Sequence, residues 1–589
     1  MRRKTIMQRL RKLVLAFLAC LLFVVLAPMF FAERRSDEPF AISSVIASPR
    51  DLHVLAVPVR LSHAPDLTLI RSVVYEYGPA SPGGVASHIL LEGPVFTLNA
   101  AGPRAPAGVG HGDLEGADLD PLSPLMQQIV ALGFELVTIR RGTLHVTMVD
   151  GTVETISDIQ AEVSRRRKGQ IASQGSFTVR GQRLAFDAIL GQPLDKRLPL
   201  RWPLQASFKG SLIQGSFDGH AALAEDLQLA GETEVSTPNL RRVGRWFGLP
   251  LQMTEGFNAA TIKGELTWAR RSLAFEKARI AVDGNEANGR LVLNLGGDRP
   301  LVDATLDFSQ LELKPYVEAA RLQFLGFDLP STSWSSFDIS LPMIRYLDAD
   351  LRISARKVTF QGHTFGQGGA TITAQAGKLQ ADITELELNS GTLSAQVTAI
   401  MSEVVPRYAL RAKIENVEAG PVSTLLLGTA ALAGRATLTV DLTSTGYSLH
   451  EIARRLSGKT SLALPEGGRL ALDIKALREA ARMGTRGWAG LAKGQTSVDR
   501  LEVRTLIIDG VAFAEEVQAR SGGLALTASG RFGVDDGNMD VRLTLKSNVP
   551  ADQPLKLTDM TGGETMTLRG PWHDPLVRAE DIEIGPPPK

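Results

Sequence analysis

The sequence predicts a mostly β protein (α+β in detail): one N-terminal transmembrane helix, then repeated antiparallel strands with a few short helices. Three observations carry this. A charge-free stretch, residues 13–32, follows a strongly basic start. From about Thr143 onward, apolar and polar side chains alternate until Gly, Asn or Asp intervenes. Sustained helical periodicity is absent over long stretches, which disfavours a doubly wound α/β fold.

The basic start contains Arg2, Arg3, Lys4, Arg9, Arg11 and Lys12. The apolar run after it includes Leu13, Leu15, Phe17, Leu18, Leu21, Leu22, Phe23, Val24, Val25 and Leu26. As a helix rising ~1.5 Å per residue, it spans about 30 Å, the thickness of a bilayer core. The positive-inside bias puts residues 1–12 in the cytoplasm and everything after residue 32 outside it. A cleaved signal peptide is the rival reading, but Phe30 at −3 from Ala32 and Pro28 after Ala27 suit cleavage poorly. Cys20, the single cysteine, falls inside the span, so disulfide scaffolds, iron–sulfur clusters and cysteine-based zinc sites are excluded.

Beyond the anchor the chain divides into a divergent exported region, 33–125, and two β regions, 126–360 and 361–589. Residues 78–124 are rich in Pro and Gly and read as a loop. In the β regions, Leu438, Val440 and Leu442 alternate with Thr439, Asp441 and Thr443. Met539, Val541, Leu543 and Leu545 alternate with Asp540, Arg542 and Thr544. Period two puts each apolar set on one strand face, and a wet opposite face favours antiparallel sheet. Helix signals are short. Thr237-Pro238 can start one, and Ser448 to Glu451 reads as a capping box with an exit at Gly458. Residues 123–133 and 473–483 are two more candidates.

Composition excludes further classes. The 589 residues carry 64 Lys+Arg against 63 Asp+Glu, a net charge of +1, so nothing argues for nucleic acid. A hydrophobic fraction of 44% supports a large buried core, and only 6% aromatic residues make its apolar surface aliphatic. Catalytic patterns are missing. Gly458-Lys459-Thr460 lacks the first glycine of a phosphate loop, and Gly108 to Gly112 opens no helix. The nine histidines never pair at ligand spacing, and Glu515-Glu516 and Asp535-Asp536 read as solvated turns. The expectation is a protein that is not an enzyme and takes no metal or other cofactor.

A series of weak motifs in order then carries a resemblance. It runs from Leu273 through Gly289, Gly296-Gly297-Asp298-Arg299-Pro300 and Leu311-Glu312-Leu313-Lys314-Pro315-Tyr316. It continues through 347–355, Gly446-Tyr447-Ser448, Gly494-Gln495-Thr496, Ile508-Asp509-Gly510-Val511 and Gly570-Pro571-Trp572. Residues 130–589 thereby resemble the AsmA family; residues 33–125 lack its usual N-terminal pattern. The resemblance implies a single-pass inner-membrane protein with its bulk in the periplasm of a Gram-negative envelope. It also implies an elongated, twisted β-groove with an apolar concave face, whose last part is 361–589, and a role in phospholipid transport or outer-membrane assembly.

The partners so implied are phospholipid acyl chains, the inner membrane, and outer-membrane or periplasmic proteins. Leu438, Val440, Leu442, Met539, Val541, Leu543 and Leu545 are the candidate lipid-facing positions. A periplasmic scaffold binding through exposed sheet edges suits the same alternation, which does not separate the two readings.

Overall fold

The computed structural model describes 52–55, 67–69, 72–76, 86–99 and 134–147, then 153–317 with short breaks, 342–345, 347–547 with short breaks, and 560–580. The anchor at 13–32 and the helix expected at 123–133 lie outside these residues. Among the described residues no helix is long and apolar enough to cross a membrane. The chain divides into two units, up to Ala304 and from Thr305, with 252–255 assigned to the second.

In the first unit, ten strands from Phe134–Thr147 to Asn285–Asn294 each pair antiparallel with the next. Its beginning departs from this rule. Ala86–Glu92 and Val95–Asn99 run parallel to Phe134–Thr147, one after the other along it. Both strands lie inside the stretch that composition reads as loop. Ile89, Leu90, Leu91, Phe96 and Leu98 provide the strand-forming residues there, and the Gly93-Pro94 pair only interrupts them. The interruption keeps its bonds: Gly93 N–H donates to the Arg140 carbonyl, and Thr143 N–H to that of Pro94. A parallel neighbour needs a long crossover, and the chain from 100 to 133 supplies its length.

In the second unit, strands from Asp348–Ala355 to Leu576–Ala579 continue the antiparallel pairing. Short pieces are inserted between them: helices Ala419–Leu427, Leu449–Arg454 and Ile474–Met483, and a small sheet of Leu432–Ala433, Gly468–Leu470 and Thr496–Val498.

Two devices shape the paired strands of both units. Two-residue hairpin turns at Arg180-Gly181, Asp283-Gly284, Ala376-Gly377 and Asp509-Gly510 have both residues at positive φ. That is the turn whose twist matches paired strands, which is why glycine recurs at its second position. Bulges are the other device. Register shifts at Ile139/Gly142, Ser157/Gln160, Phe275/Ala278 and Ile414/Val417 each contain one left-handed residue: Arg141, Asp158, Lys277 and Asn416. Such bulges bend a strand and increase its twist, so a sheet rich in them curves.

The short helices use caps that differ in detail from the sequence expectation. Leu240–Trp246 is capped by Asn239, whose side chain accepts from Arg242 N–H; Thr237 instead donates to the Leu212 carbonyl. Ser448 caps Leu449–Arg454 as expected, but the Glu451 carboxylate turns to Tyr447 N–H. Gly458 is no helix exit. It sits in strand Ser457–Leu464, where a Cβ would meet the Asp441 carbonyl at 2.0 Å.

Candidate functional site

The apolar face of the second unit is the strongest candidate. In strand Arg435–Thr445, Leu438, Val440 and Leu442 are half-buried, while Thr439, Asp441 and Thr443 are exposed on the other face. The register extends this face sideways. Leu438 lies opposite Ile414, Val440 opposite Ala412, and Leu442 opposite Leu410. These in turn face Leu393, Ala395 and Val397, and the row continues through Ala381 and Ile383 to Ala370 and Ile372, and then Leu351 and Ile353. None of these side chains is fully buried, and Val397 is 40% exposed.

The two margins of this row are different. Along one, Ala374, Ala399 and Met401 are buried together with Ile344 of the one-turn helix Pro342–Arg345, and Leu379 and Tyr408 pack against them. At the other, Ala419 and Ala436, at the ends of Arg407–Glu418 and Arg435–Thr445, are buried with Leu464, Val498, Leu501 and Ala519 of the strands beyond the row, and Leu432 and Leu470 of the inserted small sheet pack against them. The inserted pieces therefore roof the strand ends and leave an aliphatic strip accessible between them. Aliphatic area exposed along a continuous strip is unfavourable in water, at roughly 25 cal/mol per Å², and large apolar patches mark binding surfaces.

The opposite face is wet and held by side-chain pairs. Asp382 accepts from Gln396 at 2.6 Å and Gln380 at 2.8 Å, and these bonds, Gln396 first, hold its carboxyl below the usual range. Arg504 pairs with Glu516 at 2.8 Å and Arg569 with Asp540 at 2.9 Å. Exposed pairs of this kind stabilise by little, about 0–1 kcal/mol each. Their effect is to keep this face solvated while the other stays apolar.

The second set of predicted positions is placed differently. Met539, Val541, Leu543 and Leu545 share one face of Asn538–Ser547, as the alternation requires. That face is covered only in part: Met539, Val541 and Leu543 are half-buried, as Leu438 and Val440 are. Helix Ile474–Met483 buries Leu477, Ala480 and Ala481 against Met566, Leu568 and Val577, with Met539 and Leu543 packed on the cluster. Leu545 is itself buried. The register carries the row on from Leu438 through Leu462, Val503, Val517 and Ala528 to Leu543 and Met566, so the 539–545 set lies at the far end of the row, where the helix packs on it.

The sequence marks this helix at 473–483, and the structure gives its role. Asp473 caps it, accepting from Lys475 and Ala476 N–H, and Gly484 ends it in the left-handed conformation. The next residues fold onto the outer edge of the last strand. Val577 N–H donates to the Thr485 carbonyl and Gly487 N–H to that of Pro575, each at 2.9 Å, around an antiparallel bridge between Arg486 and Leu576. Part of this edge is thereby already paired, which leaves less of it to template another strand.

Arg478 joins the helix to the sheet by donating two hydrogen bonds to Glu564, one at 2.7 Å. These bonds, and then the charges of Arg478 and Arg482, hold the Glu564 carboxyl below its ordinary value. A depressed folded-state pKa contributes stability that is present above the unfolded value, near ~4.3, and lost as pH falls through the folded one. Glu564 is half exposed, so the contribution at neutral pH is at most about 1 kcal/mol and is screened by salt. Melting curves at low salt between pH 7 and 3 should show Glu564→Gln slightly less stable at pH 7, the difference closing in acid. A constant difference would mean that the carboxylate charge is irrelevant.

Among the described residues no group of three His, Cys, Asp or Glu is placed to hold a metal ion.

No family model matches the chain, and no solved structure matches it. The chain is 23% identical to Protein AsmA of Escherichia coli (strain K12) over 342 residues, 55% of this chain and 55% of that protein. It therefore spans about half the length of the curated relative it matches.

Proposed function

Since the chain is related to AsmA at the level of the family, we propose that it is an envelope protein whose apolar strip holds phospholipid acyl chains and supports their movement between membranes. The observation that carries this reading is the strip itself. A row of half-buried aliphatic side chains crosses six consecutive paired strands, Asp348–Ala355 to Arg435–Thr445, roofed along one margin and, at its last two strands, at the other. At ~4.8 Å per strand spacing it is about 24 Å wide across the strands, the scale of an extended acyl chain. A closed core would instead bury those side chains completely.

In this reading residues 13–32 anchor the protein in the inner membrane and the β units lie in the periplasm. The scaffold alternative, in which partners add strands to an exposed edge, is less supported because part of the last strand's edge is already hydrogen-bonded.

The test is mass spectrometry of lipid that co-purifies with the full-length protein extracted in mild detergent. Phospholipid should remain bound after the detergent is exchanged for a polymer without acyl chains. Retention of no lipid above that on a control membrane protein would refute the reading.

A further inference from the structure

We infer that helix Ile474–Met483 is a fixed stop at which the apolar path ends, so that acyl chains reach Val440 but not the face carrying Met566 and Leu568. The inference rests on the proposed lipid-holding strip and assigns one of its ends. Two independent sets of contacts carry it.

The first is packing. On the strip, side chains such as Leu410 and Val440 are half-buried. Under the helix, Leu477 is 1% exposed and Val577 0%, and Met566 and Leu568 are equally enclosed. An acyl chain occupying that face would have to displace Leu477, losing the burial of several aliphatic side chains for contacts of the same kind. Exchange of one apolar neighbour for another yields little transfer free energy, so nothing drives the helix off.

The second is fastening, which distinguishes a stop from a lid. The helix is tied down along its length by Arg478 on Glu564. Beyond its C-terminus, Thr485 Oγ donates to the Ala480 carbonyl at 2.8 Å, and its own carbonyl accepts from Val577. Trp488 Nε1 donates to the Trp572 carbonyl at 2.6 Å, and the two indoles meet edge to face at 6.4 Å. A hinged cover would leave one end free; here the exit of the helix is stitched to the last strand. Lipid in the strip must therefore leave across a margin or toward Asp348–Ala355, and not past Leu576–Ala579.

The experiment uses full-length protein in vesicles of phosphatidylethanolamine and phosphatidylglycerol containing a phospholipid with a diazirine in its acyl chain. After irradiation, labelled peptides are mapped by mass spectrometry. Label is expected on Arg407–Glu418 and Arg435–Thr445, and at least tenfold less on Glu564–Pro571 and Leu576–Ala579. Equal label on both sets would overturn the stop while leaving the lipid-holding strip intact. Absence of label everywhere would overturn both. Arg478→Glu, which sets like charges against Glu564 without touching the apolar contacts, provides the second arm. It should retain the normal label on the strip and raise label at Met566 or Leu568 several-fold. If a melting curve shows the variant's C-terminal end loosened and the label still stops short of Met566, something other than the helix ends the path, and the inference fails.

Discussion

Under the proposed function, Val440→Asp should yield a folded protein that no longer passes lipid. The side chain is half-buried on the accessible strip, so a carboxylate there keeps contact with water in the lipid-free protein. The cost to folding is then about 1 kcal/mol or less, within the range of surface substitutions that touch no packed cluster. Its effect on an acyl chain is far larger. Methylene groups cannot solvate a charge, and placing one against hydrocarbon costs several kcal/mol unless it is neutralised. Label from a photoreactive acyl chain on Arg407–Glu418 and Arg435–Thr445 should fall by about tenfold or more, since each ~1.4 kcal/mol is a factor of ten. Asp441→Ala, on the opposite face and paired with the exposed Arg411 at 3.5 Å, should change neither label nor melting. A Val440→Asp protein that melts normally and labels normally would remove this strand from the lipid path.

Leu477→Asp has the largest expected effect on stability. Its side chain lies in a dry cluster with Met566, Leu568 and Val577. Burying an unpaired carboxylate there costs several kcal/mol, comparable with the whole stability of a small domain. The C-terminal hairpin should lose its cover, and limited proteolysis should cut after the neighbouring Arg478 or Arg482 before it cuts the first unit. Leu477→Met, which conserves volume and polarity, should cost less than about 1.5 kcal/mol. If Leu477→Asp melts like the parent, the helix contributes nothing to the C-terminal fold. Leu543 sits at the border of this cluster, so a charge there is expected to cost an intermediate amount.

The comparison of Val440 with Leu543 also shows how far the sequence can be read. Both lie in identical alternations, Leu-Thr-Val-Asp-Leu and Val-Arg-Leu-Thr-Leu, and each shares one strand face with the apolar residues two positions away. Period two is a local property of extended backbone, so it survives in the sequence. What lies above that face comes from residues far along the chain: Leu477 covers a face that includes Met566. No pattern within the strand encodes that neighbour.

The same division holds for smaller features. The hairpins at Asp283-Gly284 and Asp509-Gly510 fall where Asp and Gly interrupt the alternation, because a turn with two positive φ angles selects Gly. The bulges at Arg141, Asp158 and Lys277 were not, because those residues adopt left-handed backbone only where flanking strand pairs hold them in it. The parallel pairing of Ala86–Glu92 with Phe134–Thr147 was hidden for the same reason: strand direction is a relation between segments.

By itself, then, the sequence determined a mostly β chain of alternating strands, tight glycine turns and a capped helix at 473–483, each a consequence of interactions within a few residues. The tertiary structure alone decided where strands bulge, which strand ends are roofed, and that one apolar face is accessible while its far end at Met566 and Leu568 is sealed by a helix. Those depend on long-range burial, whose free energy follows apolar area removed from water and not the order in which the residues occur.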